Sequence, residues 1–175
     1  MANITFNTTS GQTIQRELLI AYLNTGTSNS PTWSPLGSRV SDSSEEIDWN
    51  TETSTDILGV VRTEMKKPVI TQSFDPFPLD AGDAAGVWIW NLAVKEQDYA
   101  ALAAQDVLIV HCYAGTADSA MFAERYPASA IEVTGLGGEG GGTISQPINV
   151  SYGGARKTGT AAISSAGVVT FTADT

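Results

Sequence analysis

Hydrophobic and polar positions alternate over short stretches of this chain, which is the pattern of β-strands. An apolar run at residues 18–23 (LLIAYL) leads into the turn-rich loop NTGTSNSPTWSP. Residues 59–74 (GVVRTEMKKPVITQSF) alternate well enough to predict one long strand, which ends before two prolines. Further strands are predicted at residues 106–115, 129–138, 144–154, 155–164 and 167–174. Short strands joined by glycine-rich turns favour an antiparallel β-sandwich or barrel.

One helix is predicted at about residues 80–97 (DAGDAAGVWIWNLAVKEQ), and Asp80 and Asp83 resemble a capping arrangement at its start. Trp88 shares a helical face with Ile89, whereas Trp90 falls on another face. We therefore expect Trp88 to pack into the core and Trp90 to contact a neighbouring subunit. On this assignment, truncation of Trp88 to alanine costs about 3–5 kcal/mol of folding stability.

Length and charge narrow the function classes. The chain has 175 residues and a net charge of −10, and this length favours one domain spanning residues 1–175. Nucleic-acid binders neutralise phosphates with Lys and Arg, so this charge argues against tight binding of DNA. No apolar run approaches the ~20 residues of a membrane helix, so no membrane partner is expected. A single cysteine, Cys112, suits a reducing compartment.

An acidic segment at residues 41–61 (SDSSEEIDWNTETSTDILGVV) contains no basic residue. It is rich in Thr and Ile and includes a tryptophan, which is typical of strands rather than of a disordered acidic tail. We therefore predict an acidic hairpin over about residues 41–67, with the polar stretch 50–55 (NTETST) as its exposed tip. Its six carboxylates belong to Asp42, Glu45, Glu46, Asp48, Glu52 and Asp56.

The chain contains short motifs that resemble those of catalytic and cofactor-binding sites. GLGGEG at residues 135–140 has the spacing of a dinucleotide-binding loop, but the β-branched stretch after it predicts no helix to receive a pyrophosphate. His111 and Cys112 are neighbours in a predicted strand, so their side chains point to opposite faces. We interpret His111 as structural and Cys112 as a small core residue. One His and one Cys are too few for an all-nitrogen-and-sulfur zinc site.

The paired acids and the tryptophans give no enzyme signal either. Glu45 and Glu46 lie in a Ser/Thr-rich segment, which favours solvated acids over the carboxylate pair of a glycosidase. Trp33 and Trp49 suit a sugar-stacking surface, a core or an interface, and the sequence leaves these alternatives open. We therefore predict no catalytic residues, no metal and no cofactor.

Three stretches, in this order, resemble the major tail protein (tail tube protein) of long-tailed bacteriophages. They are WSPLGSRVSDSSEEIDWNTETSTDILG, then FDPFPLDAGDAAGVWIWNLAVKEQDYAALAAQDVLIVHCY, then FAERYPASAIEVTGLGGEGGG with VSYGGARKTGTAAIS. The shared marks are an acidic hairpin after a Trp–Gly loop, an LDAGD helix entry between strands, and a late glycine-rich meander. The resemblance spans residues 33–164.

The resemblance implies a β-sandwich or half-barrel with a flanking helix. Six copies would close into a ring, and stacked rings would form a hollow tube for genome delivery. The implied partners are further copies, a tape measure protein, and tail terminator and tip proteins, while DNA passes without specific binding. The implied location is the virion tail, with assembly in the host cytoplasm. The immunoglobulin-like domain that some members carry at the C-terminus is not expected here.

In such proteins the long hairpin reaches neighbouring subunits and the adjacent ring. The residues expected in this inter-subunit hairpin are Asp42, Glu45, Glu46, Ile47, Asp48, Trp49, Glu52, Asp56, Ile57, Arg62, Lys66 and Lys67. Its acids suit a lumen that repels phosphate, or a contact with the hairpin cations across a subunit boundary. Two other classes stay open: another β-rich component of a virion or injection machine, such as a head–tail joining protein or a type VI-like tube, and a monomeric ligand-binding sandwich.

Overall fold

The computed structural model describes residues 4–174. Its strands are β1 (Leu19–Asn24), β2 (Trp33–Pro35), β3 (Glu45–Asp48), β4 (Glu52–Thr55), β5 (Val61–Glu64), β6 (Val69–Phe74), β7 (Gln105–Thr116), β8 (Ala120–Val133), β9 (Ile148–Ser151), β10 (Lys157–Ile163) and β11 (Val169–Ala173). A 3₁₀ turn (Arg16–Leu18) precedes β1. Between β6 and β7 lie α1 (Ala84–Trp90), a π-helical segment (Asn91–Glu96) and α2 (Tyr99–Leu102). The chain is mainly β, as its alternating pattern predicts.

Antiparallel pairing joins nine strands into one sheet in the order β2-β1-β7-β8-β9-β6-β3, with β10 attached to β8 and β11 attached to β10. The two remaining strands, β4 and β5, pair with each other as a separate ribbon. The predicted long strand over residues 59–74 is divided into β5 and β6. The predicted antiparallel architecture and the flanking helix are confirmed.

The strand β8 connects two parts of the sheet: one with β7, β10 and β11, and one with β9, β6 and β3. Its residues 121–125 pair with β10, whereas its residues 130–133 pair with β9. Between them, Tyr126 and Ser129 oppose residues of β7 across a register shift, and this bulge contains Pro127. Proline has no N–H to donate, so a bulge is where a long strand tolerates it. The bulge lets one strand leave the first half of the sheet and enter the second.

Two clusters of buried apolar side chains hold the fold together. The helix-side core lies between β1, β7, β6, β9 and α1, and it includes Phe74, Phe77 and Ile89. The half-barrel core includes Leu108, Val110, Met121, Ala161 and Val169. These residues come from β7, β8, β10 and β11, which are neighbours in the sheet.

The N-cap of the helix lies three residues after the first predicted capping acid, Asp80. Asp83 is the N-cap, and its Oδ1 accepts hydrogen bonds from the amides of Ala85 and Gly86 at 3.1 and 3.2 Å. Asp80 instead closes the preceding turn and pairs with Arg39 at 2.8 Å. A side chain at Gly86 would meet the Phe77 ring at 3.2 Å, so glycine allows the helix to approach the core closely.

The glycine-rich stretch at residues 135–142 is a loop that runs into β9. Gly137 bridges to Ser145 through two backbone hydrogen bonds of 3.1 and 2.7 Å. The element that follows is a strand, not a helix, as the sequence predicts. The loop therefore lacks the helix N-terminus that a dinucleotide pyrophosphate requires.

Candidate assembly interface

A hairpin extends beyond the main sheet, and we call its residues 49–66 the arm. Its root is the pairing of β3 with β6, where Glu45 lies opposite Gln72 and Asp48 opposite Val69. Lys66 N–H donates to the Trp49 carbonyl at 3.1 Å, which carries the pairing outward to β4 and β5. All residues of β4 and β5 are exposed, so neither face of the ribbon packs on its own body.

The tip of the arm is an apolar turn at residues 56–60. Asp56 Oδ1 accepts hydrogen bonds from the amides of Leu58 and Val60 at 2.9 and 3.0 Å, which fixes the turn. Ile57 and Leu58 project from it, 102% and 82% exposed. The prediction of a polar tip at residues 50–55 was wrong, because most of that stretch forms β4 and lies along the arm.

The six hairpin acids occupy different environments. Asp42 is exposed in the loop before β3, and Glu46 and Asp48 point away from the partly buried Glu45 because side chains alternate along β3. Glu46 shares a polar groove with Glu132 of β8, lined also by Thr71, Ser73, Asn149 and Ser151.

The other two acids are neutralised within the arm. Glu52 pairs with Lys66 at 2.5 Å, and Asp56 pairs with Arg62 at 3.5 Å. Both pairs are solvent-exposed and contribute little to stability. Two of the three cations expected to meet acids of another subunit therefore already have partners in their own chain.

Large apolar side chains are concentrated on the arm and its root. Those exposed are Ile47, Trp49, Ile57, Leu58, Val60, Val61, Met65 and Val69. An exposed apolar surface of this extent is typical of an interaction site. Ile47, Trp49 and Ile57 were expected in the hairpin from the sequence.

A partly buried polar network lies beneath the arm root, centred on Glu124 of β8. Its carboxylate accepts hydrogen bonds from Tyr126 Oη at 2.8 Å and Arg156 Nε at 2.5 Å, and it pairs with His111 Nε2 at 3.0 Å. Burial alone would raise the pKa of Glu124, but the hydrogen bonds from His111, Arg156 and Tyr126 outweigh it and lower the pKa to about 2. His111 Nδ1 lies 2.8 Å from Tyr113 Oη, so the histidine has polar partners on both sides of its ring.

Glu45 brings a second carboxylate to this network from the arm root. Burial raises its pKa, and the charge of Glu124 adds to the rise, while His111 and Arg16 oppose it. Its Oε1 is buried without a hydrogen-bond partner among residues 4–174. The adjacent hairpin acids are therefore not equivalent: Glu45 faces the body, and Glu46 faces solvent.

A groove of about 650 Å³ opens between the arm root and the body. Ile47, Trp49 and Val69 line its arm side, and Tyr126 and Tyr152 line its body side. Three charged residues, Lys67, Arg156 and Glu124, also line it, and Arg156 is paired with Glu124. The groove is thus mostly apolar, and Lys67 is its one charged lining residue outside the Glu124–Arg156 pair within residues 4–174.

The helix tryptophans do not divide as predicted. Ala85 and Ile89 are fully buried and form the core face of α1, whereas Trp88 is 37% exposed and donates from Nε1 to Gln105 Oε1 at 3.1 Å. The expectation that Trp88 is a core residue was wrong, because the face of α1 that packs on the core is formed by Ala85 and Ile89 and leaves Trp88 at its edge. Trp90 is half-buried, and its contact with a neighbouring subunit stays a prediction.

Four contributors to this region were missed from the sequence: Glu124, Tyr126, Tyr152 and Arg156. A signal existed for two of them, because Glu124 and Tyr126 share their strand parity with Phe122 in the stretch AMFAERYP. The stretch was not predicted as a strand, and Pro127 at its end interrupts the pattern. Arg156 and Tyr152 come from a glycine-rich turn and carry no pattern that would place them beside Glu124.

The remaining candidate residues behave as alternation along β7 predicts. His111 faces the polar network, and Cys112 packs against the half-barrel core on the opposite face. Trp33 is buried in the same core, with its ring centroid 5.5 Å from the Arg125 guanidinium. Of the three roles left open for Trp33, the structure therefore supports the core. Within residues 4–174, no cluster of His, Cys, Asp or Glu has the grouping of a metal site, and no helix is long and apolar enough to span a membrane.

The chain was compared with known proteins by sequence and by structure. No protein-family model and no curated protein matches it. Its structure is similar to a chain from the PVC sheath–tube complex of an extracellular contractile injection system in the extended state, with a TM-score of 0.50 and 10% identity over 85% of this chain and 93% of that chain.

Two further solved structures align with it. They are the PVC sheath/tube terminator in the extended state (TM-score 0.49, 11% identity, 86% of this chain and 99% of that chain) and the anti-feeding prophage cap, a tube terminating cap (TM-score 0.46, 14% identity, 88% and 95%). At such low identity, the likeness to the sheath–tube complex concerns the fold. The chain has a fold found in a component of a contractile injection system.

Proposed function

We propose that this chain is the structural subunit of a tail tube and assembles with further copies of itself, without a catalytic role. The observation that carries the proposal is the arm. It is a two-stranded ribbon with both faces exposed and an apolar tip, and isolated ribbons of this kind are marginally stable in water. A partner that covers the arm would bury the apolar tip and stabilise the exposed ribbon. In a tube built from repeated subunits, that partner is a second copy of the chain.

The fold supports the same proposal, since it is similar to that of a chain in a sheath–tube complex. The phage resemblance of the sequence adds the finer parts. These are rings of six copies, stacking of rings, a place in the virion tail after assembly in the host cytoplasm, and contacts with a tape measure protein and terminator or tip proteins. The whole of residues 1–175 would act as one tube-forming domain.

The polar groove around Glu46 and Glu132 is our candidate for part of the channel wall. It lies on the face of the β3–β6–β9 sheet opposite the Glu45 side, and Asp48 shares that face. Repeated around a ring, such acids would repel the phosphates of passing DNA. The DNA would then be conducted without being bound.

The proposal is tested by sedimentation and negative-stain electron microscopy of the purified protein over a range of concentrations. The wild type should form rings and then tubes as its concentration rises. Another ring component of the same kind of machine would stop at a single ring. A strictly monomeric wild type at high concentration would overturn the proposal.

The matched control is a chain without the arm. Because β4 and β5 pair with each other, both must be removed, and replacing residues 50–65 by Asn-Gly joins two positions already linked by the Lys66–Trp49 hydrogen bond. This variant should keep the wild-type unfolding transition and form no tubes. Hydrogen exchange should show the arm amides unprotected in the free subunit and protected in the tube.

A further inference from the structure

The arm is joined to the body through the edge strand β3, and one acid of β3 is partly buried at this junction. β3 pairs with β6 over four residue positions and ends the strand order of the sheet. Its other side chains, those of Glu46, Ile47 and Asp48, are exposed. Glu45 is therefore the β3 side chain that the body encloses most.

The β3–β6 pairing determines how freely the arm moves, because neither face of the ribbon beyond it packs on the body. Three residues (49–51) separate β3 from β4, whereas four residues (65–68) separate β5 from β6. This difference of one residue is a bulge, and a bulge interrupts the ladder between the root and the ribbon. The position of the arm is therefore set at β3.

The Glu45 side chain lies against the polar network of the body. Glu45 shares its face of β3 with Ile47. Ile47 lines the groove together with Glu124 and Tyr152. Across the ladder, Gln72 lies opposite Glu45 and accepts a hydrogen bond from Tyr152 Oη. In this polar setting, Oε1 of Glu45 is buried without a hydrogen-bond partner within the part of the chain that the structure describes.

Several elements around Glu45 supply titratable or charged groups, whereas β6 (VITQSF) supplies none. These groups are Arg16 of the 3₁₀ turn, His111 and Tyr113 of β7, Glu124 and Tyr126 of β8, Tyr152 and Arg156 after β9, and Lys67 before β6. Arg16 also holds the start of β3, because its Nε donates to the Ser43 carbonyl at 2.9 Å. Glu45 thus lies among cations and a second carboxylate.

Most of these groups keep one charge between pH 4 and pH 7. Burial opposes but does not overcome the hydrogen bonds that lower the pKa of Glu124 to about 2, so Glu124 stays an anion. Burial raises the pKa of all three tyrosines, so they stay neutral. Burial also raises the pKa of Glu45, while His111 opposes the rise and Glu124 adds to it. Histidine side chains in general titrate near neutral pH, so an experiment must separate His111 from Glu45.

We propose that Glu45 is a pH-sensitive switch that controls how firmly the arm root is held on the body. When Glu45 is protonated, no charge on it is withheld from water and none repels Glu124. When Glu45 ionises, both effects oppose the paired position of β3. A released β3 exposes Glu45 to water, where its pKa returns to the ordinary value of 4.5. The attachment is therefore strongest below pH 4.5 and weakens as pH rises through the raised folded-state value.

Hydrogen exchange of the β3 amides at pH 4 and pH 7 tests the switch. The wild type is compared with Glu45→Gln, which keeps the shape of a protonated acid, and with Glu46→Gln, the matched control on the exposed face of β3. All three proteins keep His111, so its titration cancels when variants are compared at one pH. Sedimentation velocity selects a concentration at which the three proteins have the same mass.

At pH 7 the β3 amides of Glu45→Gln should exchange about twofold more slowly than those of the wild type, and at pH 4 the two should exchange equally fast. Glu46→Gln should match the wild type at both pH values. Low urea should leave exchange of the β3 amides unchanged, because local release of β3 exposes little surface, whereas it should accelerate exchange of the core amides of β7.

Two results would overturn the inference. One is equal exchange of the β3 amides in the wild type and Glu45→Gln at pH 7. The other is β3 exchange that urea accelerates as strongly as that of β7, because β3 would then open only when the whole subunit unfolds. The inference concerns a single subunit and does not depend on the proposed function. A wild type that never self-associates would overturn the tube proposal and leave this test intact.

Discussion

The body and the arm are built from similar strand-forming residues in opposite environments. Val110 in β7 is 0% exposed, whereas Val61 in β5 is 62% exposed. β7 pairs with β1 on one side and β8 on the other, while within residues 4–174 β4 and β5 have only each other. Sheet formation therefore accounts for both regions, but only the body gains from burial of its apolar side chains.

Because apolar side chains are buried in the body and exposed on the arm, the two regions should have different roles, one in folding stability and the other in assembly. Side chains of the body should determine whether the subunit folds, and those of the arm should determine whether it assembles. Substitutions that are far apart and share no partners have nearly additive effects, so the two roles are separable by mutation.

The largest effect is expected in the helix-side core. Phe74 is 2% exposed and makes an edge-to-face contact with Phe77, with ring centroids 6.3 Å apart. Phe74→Ala should lower the free energy of unfolding by about 3–5 kcal/mol, because it leaves a cavity in a packed core. Ile57→Ala, at the arm tip, should change it by less than about 0.5 kcal/mol. Urea unfolding of both variants tests the comparison, and similar losses would contradict it.

The next effect concerns the polar network under the arm root. Glu124→Gln should lower the free energy of unfolding at pH 7 by about 2–3 kcal/mol, because a partly buried, charge-assisted network loses its central carboxylate. The folded-state pKa of Glu124 is lowered from its ordinary value of 4.5 to about 2, so its contribution to stability is complete above pH 4.5 and is lost as pH falls through about 2.

The measurement is thermal or urea unfolding of both proteins as a function of pH. The gap between the wild type and Glu124→Gln should narrow on the acid side of pH 4.5. Glu132→Gln, on the exposed end of the same strand, is the matched control and should show no such gap. A gap that is constant from pH 7 to pH 3 would show that the carboxylate charge has no part in it.

Alternation and turn chemistry predicted much of the body. The strands around Leu108, Ile148 and Val169 lie where apolar alternation and glycine turns place them. The first half of β8 and the short β2 were missed, since proline and turn residues obscure their pattern. Both are held by long-range pairing, with Tyr22 opposite Pro35, which a local pattern does not contain.

The candidate site was predictable only in part. Composition located the acidic hairpin and its strand character, because Thr and Ile are unusual in a disordered acidic segment. The tip was misplaced because the turn is made by Asp56 and Gly59 around two apolar residues. Hairpin tips are usually polar, so the prediction chose the polar stretch 50–55 over this Asp–Gly turn. The groove requires Tyr152 and Arg156 to meet β3 across the fold, and one chain's sequence does not show that contact.

A smaller effect is expected at the helix surface. Trp88 is 37% exposed and keeps one side-chain hydrogen bond, to Gln105. Trp88→Ala should lower the free energy of unfolding by about 1–2 kcal/mol, since part of the ring stays in water and one hydrogen bond is lost. Ile89→Ala, one residue on and fully buried, should cost more, about 2–5 kcal/mol. Chemical denaturation of the two variants measures both losses. A larger loss of unfolding free energy for Trp88→Ala than for Ile89→Ala would show that Trp88 is the more important core residue.

The smallest effect, of opposite sign, is expected where the arm joins the body. Burial raises the pKa of Glu45, and one of its oxygens is buried without a hydrogen bond within the described part of the chain. A raised folded-state pKa favours the protonated acid, so the contribution of Glu45 is favourable below pH 4.5 and is lost as pH rises through the raised value. At pH 7 the ionised carboxylate of Glu45 therefore lowers the stability of the arm root.

Glu45→Gln should raise the free energy of unfolding at pH 7 by about 0.5 kcal/mol and leave it unchanged at pH 4. Glu46→Gln, the adjacent solvent-facing acid, should do neither. Unfolding curves of the two variants at both pH values measure this, and a loss of stability in Glu45→Gln at pH 7 would mean that the buried carboxylate holds the root of the arm as an anion.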